Sequence, residues 1–130
     1  MKYSFDGPLH QFVSEKLAWA YGENLSVIEA CEIWHSGAYL LETVPSVLYI
    51  LMRHAHDPEE AIVRAVNDTM DNDTIASIVG AAVGALHGKR GFPTRWVAGL
   101  TGRMAASDDG KVFSLIEEAR KQFWTCDNFL

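Results

Sequence analysis

Two carboxylates and a hydroxyl lie within the four residues Asp71-Asn72-Asp73-Thr74. Carboxylate and hydroxyl oxygens are the hard ligands that Mg²⁺, Mn²⁺ and Ca²⁺ prefer. The same residue types also accept hydrogen bonds from the free N–H groups of a helix's first turn, so helix capping is the alternative explanation. One cap uses one such residue, whereas Asp, Asn or Thr fills seven of the eight positions from 67 to 74. Both a divalent-metal site and a cap therefore stay open. The spacing excludes an EF-hand loop, which needs a glycine at its sixth position and an acid at its twelfth.

An almost wholly apolar run of small residues follows this polar start. Ala76, Gly80, Gly84 and Gly88 recur at every fourth position, which places them on one face of a helix. Glycine inside a helix costs about 1 kcal/mol relative to alanine, so close approach by a neighbouring helix would explain the stripe. We expect this helix to be central and buried on most sides. The run is shorter than the roughly 20 residues that a membrane span requires, so we predict no membrane segment.

The sequence resembles the C-terminal signature of the ADP-ribosylglycohydrolase family, which includes the dinitrogenase reductase-activating glycohydrolases. The resemblance lies in the polar start at 71–74, the small-residue run to Gly88, the Phe92-Pro93 step and Trp96. The usual family form is Gly-Asp-Thr-Asp-Thr, a small-residue helix and an Ile-Pro-x-x-Trp step. Met70 stands here where the family usually has glycine, and Asn72 where it has threonine.

The resemblance implies a fold and a site. It implies an all-α, compact orthogonal bundle of about six helices, similar to the C-terminal half of the family's fold. It implies that Asp71, Asp73 and Thr74 are ligands of Mg²⁺ or Mn²⁺. It also places the segment from His35 to Pro45 near an ADP-ribose pocket, although an ordinary helix connection interrupted at Gly37 is the alternative. The candidate substrate-binding residues there are Ser36, Gly37, Tyr39 and Glu42.

Within this segment, the aromatic ring of Tyr39 is expected to stack on adenine. Glu42 or Ser36 is expected to bond a ribose hydroxyl. These roles follow from the resemblance alone.

Several family motifs are missing from this sequence. The N-terminal Gly-Asp-x-x-Gly motif, the Thr-Asp-Asp-Thr motif and the catalytic carboxylate are not found, and family members are considerably longer. The catalytic residues therefore stay unknown, and two functions compete. The first is the metal-binding half of a hydrolase that removes ADP-ribose from modified targets, inactive unless a complementary N-terminal-half chain completes it. The second is a non-enzymatic helical homodimer or an ADP-ribose-binding module.

Length, composition and net charge limit the classes of protein to which this chain can belong. With 130 residues and 48% hydrophobic residues, the chain suits a single domain over 1–130 with a real core. The net charge of −6 argues against a nucleic-acid partner, which needs a basic surface. Cys31 and Cys126 lack zinc or redox spacing, and no signal peptide is visible at the N-terminus, so we expect a cytoplasmic protein.

Hydrophobic periodicity predicts helices and no strands. The predicted starts are Pro8 for the first helix, Ser26 with its capping box for the second, Pro45 for the third and Asp57 for the fourth. A clean amphipathic pattern predicts a last helix over 111–124.

Three elements are too apolar to be covered fully within so small a bundle. These elements are 45–52, 75–86 and 112–123. We therefore predict that the protein is a two-fold homodimer or joins a complementary chain.

Overall fold

The protein is all-helical in the residues that the structure describes. The structure is a computed structural model, and it describes residues 5–100 and 110–123. These residues form seven α-helices and one 3-10 helix, with no strand among them, which confirms the predicted all-α class. The chain divides into two compact units, Met1–Pro93 and Thr94–Leu130. A single domain over 1–130 stays a prediction.

The helices follow one another with short connections. The first unit contains α1 (Leu9–Gly22), α2 (Val27–Trp34), α3 (Leu40–His54), α4 (Pro58–Asn67), α5 (Asn72–His87) and the 3-10 helix (Lys89–Gly91). The second unit contains α6 (Thr94–Gly99) and α7 (Lys111–Phe123). Trp124, the predicted end of the last helix, lies outside the described residues. None of the described helices is long and apolar enough to cross a membrane.

Side-chain caps begin α2 and α4 where the sequence predicts them. The Ser26 hydroxyl accepts the Glu29 N–H at 3.4 Å, and the Glu29 carboxylate accepts the Ser26 N–H at 2.8 Å, which completes a capping box. The Ser26 hydroxyl also donates to Glu29 Oε2 at 2.6 Å, and this bond together with the one from the Ser26 N–H lowers the pKa of Glu29 from its ordinary value. At α4, Asp57 Oδ1 accepts the Glu60 N–H at 3.1 Å and Pro58 is the first helical residue.

The third helix begins earlier than predicted. We expected α3 to start at Pro45, which is wrong, because the helix starts at Leu40 and Pro45 is its sixth residue. The Tyr39 carbonyl accepts the N–H groups of Glu42 and Thr43 at 2.8 and 2.7 Å, so a helical turn is complete before the proline. Inside the helix, Pro45 has no N–H to donate to the Leu41 carbonyl and its ring crowds that carbonyl. The Pro45 side chain is fully buried, so the residue also contributes to the core.

The central element of the first unit is α3. It packs against α1, α2, α4 and α5. Its Tyr49 is fully buried, and the phenol oxygen lies 3.1 and 2.7 Å from the carbonyl oxygens of Ala20 and Leu25. By contrast, α5 fully buries one row of side chains: Ile75, Val79 and Val83. The expectation that α5 is the central helix is therefore wrong.

The small-residue stripe of α5 faces two neighbours. A Cβ atom added at Gly80 would lie 3.7 Å from Ile62 Cδ1 on α4. A Cβ atom added at Gly84 would lie 3.4 Å from Phe92 Cζ, in the segment after the 3-10 helix. Both distances are ordinary van der Waals contacts, so the close helix approach that would require glycine stays a prediction. One side of α5 is open, since Leu86 is exposed.

Replacing Gly84 by leucine is expected to lower the free energy of unfolding by about 1–3 kcal/mol, because the new side chain must displace the Phe92 ring. The matched control is Ala81→Leu, on the exposed side of the same helix. Urea denaturation compares the two variants with the wild type. Equal stability of the two variants would mean that the face of α5 at Gly84 tolerates bulk and that the Phe92 contact is unimportant.

Candidate functional site

The polar positions 67–74 contain Asn-Asp-Thr twice, at 67–69 and at 72–74, and the first copy ends α4. The carboxylate of Asp68 pairs with Arg64, with Oδ2 at 3.1 Å from Nη1. The hydroxyl of Thr69 donates to the Ala65 carbonyl at 2.6 Å. These two side chains therefore have structural partners, and they fix the start of the turn between α4 and α5.

The second part of these polar positions, 71–74, lies at the start of α5. Asp71 is the N-cap residue of α5, yet its side chain accepts no capping hydrogen bond. Among residues 5–100 and 110–123, the hydrogen bond that Asp73 Oδ1 accepts comes from the adjacent Thr74 N–H, at 2.9 Å. Asp73 and Thr74 are exposed, Asp71 is half-buried, and no Lys or Arg of the described residues forms an ion pair with either carboxylate. Capping by Asp71 thus does not explain this part of the polar positions.

The donor set fits a hard divalent cation in type. Asp71 and Asp73 with the Thr74 hydroxyl offer only oxygen ligands, as Mg²⁺ and Mn²⁺ prefer. Within residues 5–100 and 110–123, however, no three His, Cys, Asp or Glu side chains gather closely enough to hold a metal ion. These residues therefore amount to part of a coordination shell, and further ligands are needed to complete it.

The turn at Asp71 is joined directly to the segment around Ser36. The Ser36 carbonyl accepts the Asp71 N–H at 2.9 Å and the Met70 N–H at 3.2 Å. The Ser36 hydroxyl accepts the same Met70 N–H at 3.1 Å. The two segments that the sequence singles out are thus adjacent, although 34 positions separate Ser36 from Met70 in the chain.

A tight turn after α2 presents Ser36 to Met70 and Asp71. The helix ends at Trp34, before Gly37, because His35 takes the left-handed conformation with φ of 61°. The Ser36 N–H then donates to the Cys31 carbonyl at 3.2 Å, and the Gly37 N–H donates to the His35 carbonyl at 2.7 Å. The turn is therefore held by its own backbone.

The first turn of α3 holds Gly37 from the other side. The Thr43 hydroxyl donates to the Gly37 carbonyl at 2.8 Å. A Cβ atom at Gly37 would lie only 2.6 Å from Glu42 Oε2, so a larger residue would have to displace that carboxylate. Glu42 is 4% exposed, and its carboxylate lies against the Gly37 backbone.

The four predicted substrate-binding residues consequently differ in accessibility. Tyr39, the N-cap residue of α3, is 58% exposed, and Gly37 is half-buried. Ser36 and Glu42 are buried. Of these four residues, the Tyr39 ring and the Gly37 backbone are thus the parts that a ligand can reach.

A cleft lies between α2 and the turn before Asp71. Its volume is about 360 Å³, within the usual size range of small-molecule sites. Its lining residues are Ile28, Cys31, Glu32, His35, Ser36, Asn67, Asp68, Thr69 and Met70. Burial raises the pKa of the Cys31 thiol, so that thiol is held neutral. Sequence reasoning missed this cleft, because its two walls come from segments with no local pattern in common.

The described residues thus form an all-α protein in which an oxygen-rich helix start is bonded to a second segment with an exposed aromatic ring. The sequence profile of the ADP-ribosylglycohydrolase family matches residues 5–125. The chain therefore belongs to that family, which confirms the resemblance seen in the sequence. Comparison with curated proteins found no match, and neither did comparison with solved structures.

Proposed function

We propose that this chain is the metal-binding and ADP-ribose-binding part of a hydrolase that removes ADP-ribose from modified targets, and that it is inactive by itself. Family membership supports the class of reaction. The observation that carries the proposal is the bonding of Ser36 to the backbone of Met70 and Asp71, because it places the predicted metal ligands beside the predicted ligand segment.

The proposed cation is Mg²⁺ or Mn²⁺, held by Asp71, Asp73 and Thr74. A bound ion of this kind supplies Lewis-acid polarisation and orients the substrate's oxygens. The chain's own carboxylates contribute charge and fixed geometry at the start of α5. Because they form part of a shell, we propose weak binding that a complementary chain would strengthen.

The proposed contact for the nucleotide is Tyr39. Its exposed ring offers a face on which a planar base can stack, in the way that aromatic side chains hold nucleobases. The Gly37 backbone, lacking a side chain, permits close approach next to that ring. Glu42 and Thr43 hold this segment from behind.

We expect the 130-residue chain to release no ADP-ribose from an ADP-ribosylated protein, with or without Mn²⁺. The sequence lacks the family's N-terminal motifs and catalytic carboxylate, so no residue of the chain is assigned to activate the attacking water. Chromatographic detection of free ADP-ribose measures the outcome. Metal-dependent release that is lost on Asp71→Ala would overturn the proposed inactivity and establish a complete enzyme.

We also expect a homodimer that covers the apolar surface around the site. Leu40 is 67% exposed and Met70 is 66% exposed, and a contiguous patch built from such side chains would mark an interface. Light scattering is expected to give twice the chain mass, and Leu40→Glu is expected to give the single chain mass. The control is Trp19→Glu, an exposed apolar residue of α1 outside the three apolar elements that predict the dimer. A wild-type monomer at all concentrations would contradict the dimer.

A further inference from the structure

We infer that Ser36 is a positioning residue that fixes the backbone of Asp71 and thereby sets the cation affinity of the proposed site. The inference rests on the proposed function as far as the cation is concerned. It gives Ser36 a different role from the ribose contact that the resemblance implies.

The side chain of Ser36 is committed to the turn. Ser36 is 2% exposed, and its hydroxyl oxygen accepts the Met70 N–H at 3.1 Å. That N–H is shared with the Ser36 carbonyl at 3.2 Å, and the same carbonyl accepts the Asp71 N–H at 2.9 Å. One residue of the α2–α3 connection thus binds two successive backbone groups of the turn that carries Asp71.

Ser36 is itself held in place before any ligand arrives. The left-handed His35 and the bond from the Ser36 N–H to the Cys31 carbonyl fix its backbone. The position of Ser36 is therefore set by the end of α2.

The position of the Asp71 carboxylate depends on the backbone of the turn between α4 and α5. The Asp71 side chain makes no capping bond that would orient it, so the direction of its carboxylate depends on where the backbone holds it. Groups that orient metal ligands from outside the coordination shell typically change metal affinity 10–100-fold when they are removed. Ser36 acts on Asp71 less directly, because its carbonyl accepts the Asp71 N–H and its hydroxyl accepts the neighbouring Met70 N–H.

The test compares Ser36→Ala with Ser46→Ala. Ser46 is fully buried, accepts the Trp34 indole N–H at 2.9 Å and donates to the Glu42 carbonyl at 2.6 Å, all within α2 and α3. Two quantities are measured in each variant: the hydrogen-exchange rates of the Met70 and Asp71 amides by NMR, and Mn²⁺ affinity by calorimetry. Ser36→Cys, with a similar shape and a weaker acceptor, provides a second variant should Ser36→Ala fold poorly.

Ser36→Ala keeps the carbonyl that accepts the Asp71 N–H and removes the hydroxyl that accepts the Met70 N–H. It is therefore expected to speed exchange most at Met70 and less at Asp71, and to weaken Mn²⁺ binding by up to about tenfold, with a smaller change for Ser36→Cys. Ser46→Ala is expected to leave both quantities at the turn unchanged even where it lowers overall stability. Equal exchange at these two amides in both alanine variants would overturn the inference. A wild-type protein that binds no Mn²⁺ would contradict the proposed function instead, and amide exchange would then decide the positioning role by itself.

Discussion

Replacing Trp34 by alanine is expected to lower the free energy of unfolding by about 3–5 kcal/mol, the range for removing a large aromatic side chain from a core. Trp34 is 1% exposed at the end of α2. Its ring meets that of Tyr49 edge-on, with centroids 5.7 Å apart, and its indole N–H donates to the Ser46 hydroxyl at 2.9 Å. The substitution therefore creates a cavity and removes a buried hydrogen bond in one step. Since small domains are stable by only about 5–15 kcal/mol, much of the total would be lost.

Two variants separate these contributions. Trp34→Phe keeps most of the ring and loses the indole N–H, so we expect a loss smaller than that of Trp34→Ala. Trp19→Ala makes the same deletion at a site that is 46% exposed, and it is expected to cost much less. Urea denaturation of the three variants measures the order. A Trp34→Ala protein no less stable than Trp19→Ala would show that the α2–α3 contact is not the core described here.

The parts of the fold that could be predicted from sequence are those set by neighbouring residues. The caps at Ser26 and Asp57 depend on side chains three positions from their backbone partners, so the pattern identifies them directly. The all-α class likewise follows from periodicity within each segment.

The wrong predictions concern features that are determined by contacts between distant parts of the chain. A proline suits the first turn of a helix, so the sequence predicts that α3 starts at Pro45. The bond from Thr43 to the Gly37 carbonyl and the burial of Ser46 instead favour an earlier start. The apolar, glycine-rich composition of α5 suggested a central helix, yet composition does not reveal how many neighbours an element has.

In the candidate site, too, the sequence predicts some features, and contacts between distant segments determine the others. Resemblance identified Asp71, Asp73 and Thr74 as metal ligands, and they stay proposed ligands. No local pattern indicates that the Ser36 carbonyl accepts the Asp71 N–H at 2.9 Å, or that Glu42 lies buried against Gly37. Those contacts depend on the packing of α2, α3 and the α4–α5 turn, which sequence periodicity does not encode.

The second large effect concerns the proposed cation. Asp71→Ala and Asp73→Ala are each expected to abolish saturable Mn²⁺ binding, because each removes one of the two carboxylates of an already incomplete shell. The matched control is Asp57→Ala, which removes a carboxylate that caps α4. That control is expected to lose about 0.5–2 kcal/mol of stability and to keep the metal affinity.

Calorimetric titration of the wild type and Asp73→Ala with Mn²⁺ tests the central claim most directly. The proposed site predicts weak, saturable binding to the wild type and none to Asp73→Ala. Equal binding by the two proteins would remove the ligand assignment. Absence of binding by both, with a loss of about 0.5–2 kcal/mol of stability in Asp73→Ala, would contradict the metal site and restore helix capping as the role of these residues.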